Sequence, residues 1–224
     1  MLRKTVMCEG SALVDRVASN IEDVTDKQVR ILMAARAEFA EKGFDGARVD
    51  SIAERAHANK QLIYYYFTNK DILFTRVLEE AYRDIREQEA ALKLEHLPAD
   101  QAILQLVEFT WHYYLKNPEF IRLLNSENQL KARHLKDSDI TVQINQSWSS
   151  ITQQLLQRGR AEGNVREDID VMQLNINISA LGFFYLINQS TLSIIYQQDL
   201  SAKAALDERL RVMKECIAAW IKPH

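Results

Sequence analysis

A chain of 224 residues with only 6 glycines and 3 prolines, 47% hydrophobic, favours long helices over a sheet, in one large or two small domains. Its net charge of −3 excludes a uniformly basic surface but not a local basic face, which is what DNA meets. Cys8 and Cys216 are too few for a disulfide framework and neither has a C-x-x-C partner, so a reducing, cytoplasmic setting is expected.

Residues 1–23 show weak periodicity and are read as a flexible arm, with Arg3 and Lys4 as the groups to reach a DNA groove if it does so. They contain no uninterrupted apolar run of the kind a signal peptide needs. A helix is predicted from Thr25, where Thr25 and Gln28 form a capping-box pair and Val24 with Val29 a hydrophobic staple. Leu32, Ala35 and Phe39 give its buried stripe, and Gly43 supplies a left-handed C-terminal residue.

The stretch Val49 to Leu73 organises the rest. Val49, Ile52, Ala53 and Ala56 share one helical face, as do Leu62, Ile63 and Tyr66 after a break at His57-Ala58-Asn59. Two helices of about two turns each, joined by a tight turn, have the size of a helix-turn-helix. Asn59 is a good N-cap for the second, which is too short to bury much yet carries Lys60, Gln61, Tyr64, Tyr65 and Tyr66. Cations, an amide and phenol hydroxyls grip phosphates and read base edges. The same residue types also fit a surface helix with core tyrosines.

This stretch resembles the DNA-binding domain of the TetR family of transcriptional regulators. The resemblance rests on Gly43-Phe44, Ile52-Ala53, the run Leu62-Ile63-Tyr64-Tyr65-Tyr66-Phe67, and Lys70 with Ile72-Leu73. It implies that Lys60, Gln61, Tyr64 and Tyr65 touch DNA, with Asn59 beside them, and that Lys70 sits at a helix N-terminus on a phosphate. His57 departs from the pattern by standing where the family has its turn glycine, and Ala58-Asn59 replaces the common Val-Ser. A positive φ is uncommon outside glycine but histidine is enriched there. Arg48 replaces the usual Ser/Thr cap, a loss of about 1 kcal/mol that places a cation at the expected DNA edge.

From Lys70 a helix is predicted through Ile72, Leu73, Val77, Ala81 and Ile85 to Leu94, with Glu95-His96-Leu97-Pro98 as a hinge. The next runs from Ala99 to Lys116, with Ile103, Leu106, Val107, Thr110 and Tyr114 inside and Trp111 near the edge. Asn117-Pro118 starts a short helix, and a polar stretch with Lys131, Arg133 and His134 follows. Ser138 to Glu162 is predicted as a helix packing Ile140, Ile144, Trp148, Ile151 and Leu155, closed by Gly163-Asn164. Val171 to Gln198 carries no charge and is long enough to span a membrane, but its seven Asn and Gln residues argue against that. It is read instead as one buried helix whose second side meets another subunit. The last helix, from Ala202 to Lys222, offers Leu206, Leu210, Met213 and Ile217 as dimer-interface candidates. The resemblance implies a four-helix dimer bundle from the last two long helices of each subunit.

No catalytic motif is present: no G-x-S-x-G, Walker A, G-x-G-x-x-G or H-E-x-x-H. No enzyme activity, cofactor or metal is expected; Glu108 and His112 stand one turn apart, but two ligands do not make a site. Asn177, Leu181, Phe184, Asn188 and Thr191 fall on one face at helical spacing. Buried amides want partners. Either they bind a small effector between helices, with Trp111, Tyr114 and Trp148 as aromatic walls, or they tie a dimer together. A looser resemblance to a subgroup of TetR effector domains rests on Asn117-Pro118-Glu119-Phe120, Glu127-Asn128, Arg133-His134-Leu135 and the Phe184-Tyr185 to Ser193 run, and adds Asn128 to the effector set.

The expectation is an all-α chain, with a three-helix helix-turn-helix domain at 24–70 and a helical effector-binding and dimerisation domain at 71–224. Its expected function is repression of transcription, with release from a palindromic operator by a small molecule. The rival is an all-α carrier or enzyme using the C-terminal pocket; a protein-interaction adaptor is a third.

Overall fold

The computed structural model describes residues 7–136 and 138–223, with side chains at 26–136, 138, 146 and 149–223. The described residues form ten helices and no strand. Two compact units meet between Val77 and Leu78, inside a helix and later than the expected 70/71 boundary. Arg3 and Lys4 lie outside the described residues.

The first unit holds α1 (Met7–Gly46), α2 (Val49–Arg55), α3 (Lys60–Phe67) and the start of α4 (Lys70–Ala90). Thr25 lies inside α1 and not at its start, because no glycine or proline interrupts residues 11–42. Gly43 does break the helix, at φ 69° and ψ 175°, a conformation that side chains with a Cβ rarely adopt. Phe39, Phe44 and Phe74 then meet ring to ring, with Phe39 and Phe74 centroids 4.8 Å apart and Phe44 and Phe74 5.2 Å apart. Ile31, Ala35, Ile52, Ile63, Phe67 and Leu73 complete this core. Each large apolar side chain so buried contributes about 1.5–3 kcal/mol. Leu32, expected in the stripe, is half-buried.

The second unit holds the rest of α4 with α5 (Ala99–Lys116), α6 (Pro118–Gln129), α7 (Asp139–Glu162), α8 (Val171–Ile187), α9 (Gln189–Ile195) and α10 (Lys203–Ile221). Its core gathers Ile103, Leu106, Trp111, Leu156, Leu174, Ile178, Met213 and Ile217 from α5, α7, α8 and α10. Pro98 provides no side-chain cap for α5, and the Glu162 carboxylate accepts the Ala99 N–H instead (2.8 Å). That bond is the first cause holding the Glu162 carboxyl below its ordinary range. A Cβ on Gly159 would stand 2.8 Å from Val165 Cβ, so this glycine is what lets the chain after α7 fold back so closely.

The uncharged run is two helices, not one. α8 and α9 meet at Asn188 with a bend of 67°. The Asn188 amide donates to the Phe184 carbonyl (2.9 Å), and the Thr191 hydroxyl donates to the Asn188 carbonyl (2.9 Å). Short polar side chains bonding to nearby backbone in this way compete with helix continuation. No single helix among the described residues is long and apolar enough to cross a membrane; α8 and α9 together pass by composition, but across this bend.

Candidate nucleic-acid interface

The turn before α3 closes by backbone hydrogen bonds. The Ala58 N–H donates to the Ala53 carbonyl (3.0 Å) and the His57 N–H to the Glu54 carbonyl (3.2 Å), a Schellman pair that requires a left-handed residue at His57. His57 takes that place at φ 49°, where glycine was the expected type. Asn59 then caps α3: its Oδ1 accepts the Leu62 N–H at 2.8 Å. Its side chain is thereby committed to the helix start.

With Ile63 and Phe67 buried, α3 turns Lys60, Gln61, Tyr64 and Tyr65 to solvent. Tyr65 is 80% exposed and Tyr64 41%, values that rule out core tyrosines at these positions. Two ring-bearing hydroxyls, an amide and an ammonium therefore stand in one row, the inventory needed for phosphate and base-edge contacts. Lys60 is held by Asp50 of α2, its Nζ 3.0 Å from Oδ1. The hydrogen bond to Asp50 raises the Lys60 pKa above its ordinary value, so the ammonium form is secured.

Arg48 is exposed in extended backbone at the start of α2, with no side-chain cap. The missing Ser/Thr cap is partly replaced from α1: Glu38 Oε1 accepts the Arg48 N–H (3.4 Å), while Glu38 Oε2 lies 3.2 Å from Arg55 Nε. Lys70 opens α4 behind the Asn69 cap, whose Oδ1 accepts the Ile72 N–H (2.8 Å). Its ammonium stands 4.7 Å over the Phe44 ring and 3.5 Å from the Asp45 carbonyl, and burial lowers its pKa. Asp50, Glu38 and Asn69 escaped sequence reasoning. Asn69 was legible as a polar residue before Lys70-Asp71; nothing in the spacing singles out Asp50 or Glu38.

The effector candidates among the described residues differ widely in exposure. Trp111 and Tyr114 are buried, and a Cβ on Gly182 of α8 would touch both rings (3.4 and 3.3 Å). Burial pushes the Tyr114 phenol up to about 12, against a hydrogen bond to Ser179 that lowers it. Asn177 is half-buried, whereas Phe184 is 60% exposed and Thr191 and Asn128 are exposed. Asn188 is spent on the helix break. The Trp148 side chain lies outside the described residues. The buried amide of α8 is Asn175, whose Oδ1 accepts the Thr152 hydroxyl of α7 at 2.6 Å. The Glu127 and His134 motif is likewise a structural tie. Glu127 Oε2 lies 2.7 Å from His134 Nδ1, and Oε1 accepts the His134 and Leu135 N–H groups at 2.7 and 3.3 Å.

A cleft of about 310 Å3 opens elsewhere, lined by Glu89, Leu92, Leu94, Ile151, Leu155 and Arg158 among others. None of the expected effector residues lines it. Of the dimer candidates, Met213 and Ile217 are buried in the core of their own unit, whereas Leu206 and Leu210 pack against it and stay half-exposed. Apolar side chains are left outside on α8, with Met172, Ile176 and Phe184 exposed at spacings of four and eight, and at the end of α9, with Ile194, Ile195 and Tyr196.

Comparison with known proteins agrees with this geometry. Residues 31–77 match the model of bacterial regulatory proteins of the tetR family, and residues 100–217 match the tetracyclin repressor-like C-terminal domain. The transcriptional repressor NicS of Pseudomonas putida is 35% identical over 78% of this chain and 82% of its own. Among solved structures, a protein from Saccharomonospora viridis in complex with choline superposes with TM-score 0.70 at 18% identity, covering 89% of this chain and 100% of that one. FadR of Bacillus subtilis in complex with stearoyl-CoA gives TM-score 0.64 at 18% identity, over 87% and 99%. At such identities the two structures speak for the fold alone. With an exposed polar row on a capped reading helix, and both of its regions matched by the family's models, the chain belongs to the TetR family of transcriptional regulators.

Proposed function

We propose that two copies of this chain bind a two-fold related operator as a repressor, and that a small molecule held by the C-terminal unit releases them. The observation that carries the DNA half is the exposed row Lys60, Gln61, Tyr64 and Tyr65 on α3, flanked by Arg48 and Lys70. Repression is supported by NicS, which is named a repressor. The effector half rests on the match of residues 100–217 to the tetracyclin repressor-like C-terminal domain; two proteins of the same fold hold choline and stearoyl-CoA. Effector binding would shift the population towards a form that fits DNA poorly. Dimerisation through Met172, Ile176 and Phe184 of α8 accounts for an apolar row that a lone subunit leaves in water. The regulator reading is preferred to the carrier or enzyme because neither of those has a use for a polar row on α3.

The test is DNA binding with single substitutions. Footprinting on the DNA flanking the chain's own gene locates an operator. Lys70→Ala should then weaken binding to all sequences alike and flatten the salt dependence by about one unit, whereas Gln61→Ala should relax sequence preference. Parent-like binding by both variants at two salt concentrations would remove the contact assignment.

A further inference from the structure

The first turns of α2 and α3 are joined by one ion pair. Lys60 Nζ lies 3.0 Å from Asp50 Oδ1 and 3.1 Å from Oδ2, so both carboxylate oxygens take the same ammonium. The two side chains are 46% and 68% exposed, and neither contributes to the buried core. Lys60 nevertheless belongs to the row that faces DNA. A carboxylate offers an ammonium much what a phosphate does: two anionic oxygens on one centre. Lys70, the cation at the start of α4, has an uncharged oxygen beside it, the Asp45 carbonyl.

We propose that Asp50 is an affinity-limiting residue of the DNA interface, an internal competitor that occupies Lys60 in place of a phosphate. This rests on the reading of the α3 row as the DNA-contacting surface. To gain the Lys60 contact, DNA of any sequence must first displace the Asp50 carboxylate, and that carboxylate then faces a polyanion. The gain from Lys60 is thus smaller than a free lysine would give, for operator and non-operator DNA alike. Base contacts by Gln61 and the tyrosines are left unaltered, because Asp50 touches none of them in the contacts that define the pair.

The experiment is a double-substitution cycle on the full chain: parent, Asp50→Asn, Lys60→Ala and both together. Each is titrated against an operator duplex and a scrambled duplex at several salt concentrations. Asp50→Asn should tighten binding to both duplexes by the same factor, about two- to fivefold, the scale of one exposed ion pair. The salt slope should change by well under the ~0.9 of a whole phosphate contact, because Lys60 reaches phosphate in the parent too and only the competing carboxylate is removed. In the Lys60→Ala background the gain should shrink clearly, because no lysine remains to be released. An equal gain with and without Lys60 would overturn the proposal and reduce Asp50 to a general surface charge; so would no gain at all. If Lys60→Ala itself leaves binding and salt slope unchanged while Gln61→Ala weakens operator binding, the proposal fails but the α3 reading stands. If neither matters, the α3 reading fails as well. Thermal melting of each variant checks the fold, and Asp50→Ser repeats the test should the asparagine alter the α2 start.

Discussion

Helices α3 and α8 each bury one side and leave the other to meet something, and the two leftover sides differ in kind. α3 buries Ile63 and Phe67 and presents an ammonium, an amide and two phenols. α8 buries Leu174, Asn175, Ile178 and Gly182 and presents Met172, Ile176 and Phe184. A face of donors loses little by standing in water and gains when it meets phosphates and base edges. An apolar row gains by leaving water, at roughly 25 cal/mol for each Å2 covered. Exposure alone therefore says little about a partner; the chemistry of what is exposed says which class of surface it awaits.

Three measurements would break or sharpen that contrast. The largest effect is expected from α8. Ile176→Glu with Phe184→Glu should give a folded monomer by sedimentation, with operator affinity down by roughly 100-fold as two linked reading heads become one. A dimer that survives the two charges would place the apolar row outside the interface. The effect of Tyr65→Ala should be smaller, roughly tenfold in operator affinity, on the scale of one specific contact. Its sedimentation should match the parent's, and a loss of dimer there would erase the division of labour between the helices. The smallest change is expected from His57→Gly, which relieves a left-handed residue bearing a Cβ. It should raise stability by roughly 1 kcal/mol in denaturant titrations, with operator binding preserved because the turn keeps its shape. Destabilisation would mean that the His57 side chain supports the turn through contacts of its own.

The first unit was largely readable because its signals are local. The turn at His57, the cap at Asn59, the break at Gly43 and the burial of Ile52 and Ile63 each follow from a residue and its near neighbours. The second unit was read correctly as helical, and the inner face of α5 (Ile103, Leu106, Val107, Thr110, Tyr114) with it, but what covers a face was less legible. A stripe such as Leu206, Leu210, Met213 and Ile217 declares that a helix side is covered, not by what, and here its own unit buries Met213 and Ile217. An uncharged run such as Val171 to Gln198 has apolar residues on every side, so it carries no sign of a bend; Asn188 supplied the bend through a hydrogen bond that spacing does not reveal. The pairs Thr152 with Asn175 and Lys60 with Asp50 join residues far apart in the chain, and only the folded backbone brings them together.

The clasp between Glu127 and His134 bears on what this protein tolerates as a scaffold. Connections between helices are ordinarily the places where a chain accepts a cut, an insertion or new termini, because their backbone groups face water. The link after α6 is different: a buried carboxylate holds the amides of His134 and Leu135 as well as an imidazole. Lengthening it would strand a charge and a ring together in the interior, a loss on the scale of a broken buried network. In engineering terms this connection behaves as part of the core, and a cut or insertion there should cost what a core substitution costs.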